Sequence, residues 1–319
     1  MMNTVLQQAK KILTKGEVVA IPTETVYGLA ANSFDEKAIQ KIFNIKNRPL
    51  YNPLIVHIKS IDYLDEVAKD IPPMATKLAE MFWPGPLTLV LPKKDNIPDI
   101  VTSGKNTVGI RVPAHPLAQE LLHLLDFPLA APSANPFGYI SPTTAAHVKK
   151  QLGDKIELIL DGGNCEKGIE STIIGFDNNK PILYRVGAIS KETIENYIGV
   201  IEVKNKAAAS PEAPGMLSKH YSPKTKFEVS TTIEESIRLH ADENVGFLLF
   251  TKPDVELASQ KHILLTEDRN LEEAATNLYA SMHLMDDKKF DLIIAERFPE
   301  IGIGVSLNDR LQRAQETTF

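Results

Sequence analysis

The chain has 319 residues, 43% of them hydrophobic and 24% charged, a composition that excludes a disordered or fibrous protein and leaves room for two globular domains. Its single cysteine, Cys165, excludes an internal disulfide and a thiolate zinc cluster, and fits a reducing compartment. The net charge of −6 is shared unevenly: residues 1–224 hold 25 Lys/Arg against 23 Asp/Glu, residues 225–319 hold 10 against 18, so an anionic ligand meets the first part more readily.

The opening MMNTVLQQAKKILTKGE lacks the apolar stretch of a signal peptide, and no run of 18 apolar residues follows. The expected location is therefore cytoplasmic, with no membrane partner. Val5, Leu6, Ala9, Ile12 and Leu13 recur at helical spacing up to Gly16, and VVAI then reads as a short buried strand. DEKAIQKIFNIK is the next helix and LIVHI (54–58) the next strand. Strands are expected at 87–91, 108–112, 128–131, 157–160, 171–176 and 182–185, with helices around 116–125 and 143–152. Strands outnumber helices, so a mixed twisted sheet is expected rather than a strictly alternating parallel one.

Residues 201–223 replace the periodic pattern with Ala, Ser, Pro and Gly, the mark of a linker. After it, VGFLLF (245–250), HILL (262–265), a helix over about 271–285 and DLIIAE (291–296) predict a small three-layer α/β domain, Rossmann-like in pattern. The organisation expected is thus a catalytic-size domain over 1–202, a linker over 203–224 and a C-terminal domain over 225–319.

Polar clusters fall where strands give way to turns, the place where α/β proteins build ligand sites. They are IPTETVYGLAA (21–31), KNRPLYNPLIVHI (46–58), SGKNT with VGIRVPAHP, APSANPFGYISPTT (131–144) and DGGNCEKGIEST (161–172). Singly, each has an ordinary structural reading. Thr23, Glu24 and Thr25 could cap a helix. Lys46 and Arg48 could be a solvated helix end, His57 a satisfied core histidine, and PSANPFG a turn. SGKN lacks the upstream glycine and the Ser or Thr of a P-loop, the eight histidines show no HExxH spacing, and no GxSxG elbow occurs.

Jointly, PTETVYGLA, KNRPLYNPLIVHI, WPGPLTLVL, VGIRVPAHP, APSANPFG and GIESTII, in that order, resemble the YrdC-like family over about residues 5–200. APGMLSKHYSP, through Pro214, Gly215, Met216, His220, Tyr221 and Pro223, extends the resemblance to the long two-domain form, whose members make threonylcarbamoyl-AMP. Leu217 and Ser218 vary in the family and take no role. The resemblance implies a twisted mixed sheet with flanking helices around a concave ligand cavity. It implies a nucleotidyltransferase that condenses L-threonine, bicarbonate or CO2 and ATP, with Mg2+ on the phosphates, to L-threonylcarbamoyladenylate and pyrophosphate. A downstream tRNA threonylcarbamoyl-transfer machinery then modifies the adenosine next to the anticodon, and tRNA itself is a possible partner.

By the same resemblance Lys46 and Arg48 are the catalytic pair on the ATP phosphates. Asn52, Thr107, Ser133, Asn135, Ser141, Arg185 and Tyr221 are the other ATP contacts, Tyr221 belonging to a lid. Thr25, His57, Arg111, Ala131 and Ser171 are the threonine contacts, and no side chain is assigned to a metal. The alternative is a non-catalytic RNA-binding protein of translation; an aromatic content of 7% and the lack of a long basic stripe weigh against it.

Overall fold

A computed structural model describes residues 2–204, 214 and 220–315, so Gly215, Met216, Leu217 and Ser218 of the linker motif lie outside the described residues. Helix α1 (Met2–Thr14) leads into strands β1 (Val19–Ile21) and β2 (Gly28–Asn32), then α2 (Glu36–Lys46) and β3 (Ile55–His57). Next come α3 (Leu64–Val67), α4 (Pro73–Phe82), β4 (Leu87–Pro92), α5 (Asp99–Thr102) and β5 (Thr107–Arg111). Helix α6 (Pro116–Leu124), β6 (Leu129–Ala130), α7 (Ala145–Leu152), β7 (Thr172–Asp177) and β8 (Lys180–Arg185) follow, with α8 (Lys191–Ile198) and β9 (Glu202–Val203) closing the first part. The second part runs β10 (Lys226–Ser230), α9 (Ile233–Leu239), β11 (Val245–Leu249), β12 (His262–Leu264), α10 (Leu271–Asp287), β13 (Leu292–Glu296) and α11 (Ile303–Gln315).

The first part is a nine-stranded sheet in the order β1-β2-β6-β3-β5-β4-β7-β8-β9, with parallel and antiparallel pairs intermixed. The mixed sheet is the one expected. The second is a four-stranded, wholly parallel sheet, β10-β13-β11-β12. Ile237 of α9 packs on one face with Phe247 and Ile294, while α10 and α11 cover the other, giving three layers.

Three sequence readings change. ELIL touches the sheet only through a bridge between Ile159 and Ala20, whose two backbone hydrogen bonds, Ala20 N to Leu158 O and Leu160 N to Ala20 O, are too short a pairing to make a strand. The Gly-Ala run of β2, with no β-branched residue to announce it, becomes a strand because β1 and β6 pair with it on both sides. No helix follows Thr23-Glu24-Thr25, which form the loop of the β1–β2 hairpin and are all buried.

Period-two alternation positions the site. In β3 and β5, Val56, Val108 and Ile110 belong to the main core, whereas Ile55, His57 and Arg111 line a cavity on the opposite face, with Ile55 opposite Gly109 and His57 opposite Arg111. The two parts also share one apolar cluster. It joins Val26, Ile140 and Ile169 of the first to Phe227, Leu278, Tyr279, Ile303 and Leu307 of the second, with Tyr221 among them.

Candidate active site

Helix α2 sets the first element of the site. Asp35 caps its N-terminus by accepting from the amides of Lys37 and Ala38, and Asn47 ends it in the left-handed region at φ 52°. Its buried face is Ala38, Ile39, Ile42, Phe43 and Lys46, so the lysine falls on the apolar stripe and is 1% exposed. A lysine there needs acceptors. Nζ donates to Ser133 O at 2.5 Å, to Asn135 O, and to Asn135 Oδ1 at 3.4 Å, which engages all three of its hydrogens. Neither Lys46 nor a solvated helix end is found at the cavity wall; the ammonium clamps the loop that carries Ser133. Asn135 completes the clamp, its amide donating to Pro136 O and Tyr139 O.

Arg48 follows in the turn after α2. It donates through Nε to Asn52 O at 3.0 Å and through Nη2 to Pro53 O at 2.7 Å, which leaves the rest of the guanidinium to the cavity it lines. The cavity is lined at one end by Thr25, His57, Arg111 and Ala131 and at the other by Arg48, Ser133, Arg185 and Tyr221, and Glu170, Ser171, Pro214 and His220 also line it. Segments from eight places in the chain, the linker counted once, thus meet in one hollow. Of the residues singled out in the sequence, Asn52, Asn135 and Ser141 are buried behind its wall. Thr107 is not brought to it: it pairs with Pro92 at the far end of β5 from Arg111.

At the first end Arg111 donates to Thr25 Oγ1 at 2.9 Å and to Gly85 O at 3.2 Å, and its Nη2 lies 2.7 Å from Glu24 Oε1. Glu24, which the sequence left as a helix cap, is a buried counter-ion fixed by the Ala114 amide at 3.1 Å. His57 is pushed down to a pKa of about 3, first by burial and then by Arg111, so it is a neutral imidazole. The floor is tight here, since a Cβ on Gly109 would lie 3.3 Å from Thr88 Cγ2 and 3.5 Å from Ile55 Cγ1. Thr88 shares a hydrogen bond of 2.8 Å with the Ser171 hydroxyl, a contact no motif announced.

At the second end Arg185 grips Ser171 through its carbonyl at 2.9 and 3.0 Å and its hydroxyl at 3.1 Å, and reaches Pro214 O of the linker at 3.1 Å. Burial lowers Arg48 to about 9, with Arg185 adding repulsion, and burial followed by Arg48 and Lys46 holds His220 well below the ordinary histidine range. Desolvated cations that repel one another, facing a neutral imidazole, make a site prepared for an anion. Buried polar atoms point the same way. His57 Nδ1, His220 Nδ1 and the Tyr221 hydroxyl, all from cavity residues, have no hydrogen-bond partner among the described residues. Tyr221 is also held at φ 67°, a left-handed conformation that costs a tyrosine about 1 kcal/mol.

Sequence reasoning missed Glu24, Glu170 and Thr88. Glutamate and threonine are ordinary surface residues, and only burial turns them into counter-ions and supports.

A polar cavity on one face of a mixed sheet, with linker residues Pro214, His220 and Tyr221 in its wall, is built to hold a ligand, and two family models match the chain in tandem. Residues 11–187 match the Sua5/YciO/YrdC family, described as telomere recombination, and residues 189–315 match the threonylcarbamoyl-AMP synthase C-terminal domain. The chain belongs to this family in its long two-domain form. It is 41% identical to the threonylcarbamoyl-AMP synthase of Pyrococcus abyssi over 96% of this chain and 92% of that protein, and 41% identical to that of Bacillus subtilis over 97% and 92%. The crystal structure of P. abyssi Sua5 complexed with L-threonine superposes with a TM-score of 0.92 at 39% identity, over 99% of this chain and 95% of that one. The crystal structure of Escherichia coli YciO matches 59% of this chain and 90% of that one, with a TM-score of 0.51 at 25% identity.

Proposed function

We propose that the protein is a threonylcarbamoyl-AMP synthase, a nucleotidyltransferase that joins L-threonine, bicarbonate or CO2 and ATP. The observation that carries the reading is one cavity with Arg111 and its buried counter-ion Glu24 at one end and two further arginines at the other. Arg111, backed by Glu24, receives the threonine carboxylate, with neutral His57, Thr25, Ser171 and the backbone of Ala131 around the amine and hydroxyl. Arg48 and Arg185 face the triphosphate, with Ser133 and Tyr221 beside the nucleotide. Lys46 and Asn135 serve ATP through the loop they fix, while Asn52 and Ser141 act from behind the wall.

The neutral threonine amine adds to CO2 and loses a proton to solvent, giving a carbamate. A carbamate oxygen then forms a bond to the α-phosphorus as the bond to the β-phosphate oxygen breaks, releasing pyrophosphate. The chain contributes position and charge, which is the larger part of catalysis in phosphoryl and nucleotidyl transfer. Mg2+ arrives as the ion of the ATP substrate. Among the described residues no group of three or more His, Cys, Asp or Glu side chains is arranged to hold a metal by itself, and Glu24 and Glu170 are both paired with arginines. The product is a mixed anhydride, whose acyl group a tRNA-modifying transferase then takes up; the linker residues Pro214, His220 and Tyr221 in the cavity wall limit its contact with water until then. No helix among the described residues is long and apolar enough to cross a membrane.

The test is pyrophosphate release with labelled threonine, bicarbonate and ATP. Release requires all three, and labelled threonine appears in an adenylate. Release that ignores threonine refutes the assignment.

A further inference from the structure

Arg310 is the largest of the fully buried side chains, at 0% exposure, and it comes from α11 of the C-terminal domain. Its Nε donates to Glu170 Oε2 at 2.8 Å, Nη2 to Val186 O at 2.8 Å and Nη1 to Asp309 Oδ2 at 2.5 Å, and the guanidinium lies 5.2 Å from the Tyr221 ring centre. Glu170 is a cavity residue and the immediate neighbour of Ser171. Its other bonds come from Tyr279 OH of α10 at 3.0 Å and Ser141 Oγ at 2.7 Å. Two of the three groups that fix this carboxylate therefore belong to the other domain.

Val186, whose carbonyl Arg310 also holds, directly follows Arg185, and Ala188 donates to Glu170 O at 2.9 Å. Glu170 and Arg185 are thus neighbours across two chain segments, close enough that each shifts the other's ionisation. Yet no carboxylate pairs with Arg185 among the described residues; its hydrogen bonds go to Ser171 and Pro214. Burial by itself would raise the Glu170 pKa, but Arg310, Arg185 and Ser141 outweigh it and keep the group ionised. A buried carboxylate that lost Arg310 would need another cation, and Arg185 is the one on the same wall.

We propose that Arg310 is a positioning residue for the nucleotide end of the cavity: by holding Glu170, it leaves the charge of Arg185 to the polyphosphate and gives Tyr221 a cationic floor. The C-terminal domain on this account completes the charge balance of a site it does not line. The inference rests on the reading of the cavity as an ATP and threonine site.

The experiment measures ATP·Mg2+ and L-threonine binding by calorimetry on the full chain and on Arg310→Met, with the double variant Glu170→Gln/Arg310→Met as control. Arg310→Met loses about 30-fold or more in ATP affinity, while threonine affinity stays within about threefold, and adding Glu170→Gln restores most of the ATP affinity because the stranded charge is gone. A residue that merely docks the domains predicts the reverse: equal effects on both ligands and no recovery in the double variant, which overturns the proposal. If Arg310→Met does not fold, Arg310→Lys carries the test. ATP affinity within about tenfold of the unmodified protein, with threonine unchanged, supports the role; a larger loss, or one shared by threonine, overturns it. Failure of the unmodified chain to bind ATP would instead refute the reading of the cavity.

Discussion

At one end of the cavity Arg111 and His57 stand opposite each other on adjacent strands, and Glu24, the counter-ion of Arg111, comes from the loop of the β1–β2 hairpin. At the other end Arg185 is held by the loop before β7 and the linker, and the charge balance around it is set by a helix more than a hundred residues away. The first end is the property of one sheet, pre-formed by strand register. The second exists only when three parts of the chain are assembled. The amino-acid end therefore has few ways to deform, whereas the nucleotide end can respond to the linker and the second domain.

The most severe way to break the first end is Arg111→Ala, which strands Glu24 in the interior. Stability in urea falls by about 3–5 kcal/mol, threonine-dependent pyrophosphate release is abolished, and Arg111→Ala/Glu24→Gln recovers stability without activity. Lys46→Met acts on the second end by freeing the Ser133 loop. It costs about 1.5–3 kcal/mol, the worth of a charged group's hydrogen bonds, and calorimetry finds ATP affinity reduced with threonine affinity kept.

Acid tests both regions together. His57 near 3 and His283 near 4, the latter at the domain junction, are histidines whose folded pKa lies below the ordinary 6.5. Unfolded chains bind protons that the fold excludes, so stability is fully present above pH 6.5. It falls as pH drops toward those values, by up to about 1.4 kcal/mol per pH unit for each group. Urea titrations from pH 7 to 4 show the slope, and His283→Gln removes part of it while His57, His147 and His220 keep the rest. The smallest effect is expected from Tyr221→Phe. Its hydroxyl has no partner among the described residues, so stability changes by less than about 1 kcal/mol, whereas ATP affinity falls by up to about tenfold.

The same contrast governs what the amino-acid sequence discloses. LTLVL and VGFLLF are legible as strands because their apolar runs suit only a sheet buried on both sides. GLAAN is not, since its pairing partners make it a strand. In the site, the first end is partly readable: His57 and Arg111 sit at the penultimate positions of the predicted strands 54–58 and 108–112, where alternation puts them on one face. Lys46 could have been read as buried from its place on the α2 stripe, but its acceptors, two carbonyls of a loop 87 and 89 residues on, carry no sequence signal. Glu170 and Arg310 pair across 140 residues, and neither residue type at its position predicts a burial that only domain packing creates.

The apolar seam shared by the two sheets bears on how such chains can be recombined. A hybrid that joined this N-terminal half to a relative's C-terminal half would have to match the greasy contacts of Val26, Ile140 and Ile169 and the socket for Glu170 simultaneously. Exchange of either half as a free-standing cassette is therefore penalised, and changes on the two sides of the seam are constrained to be inherited together.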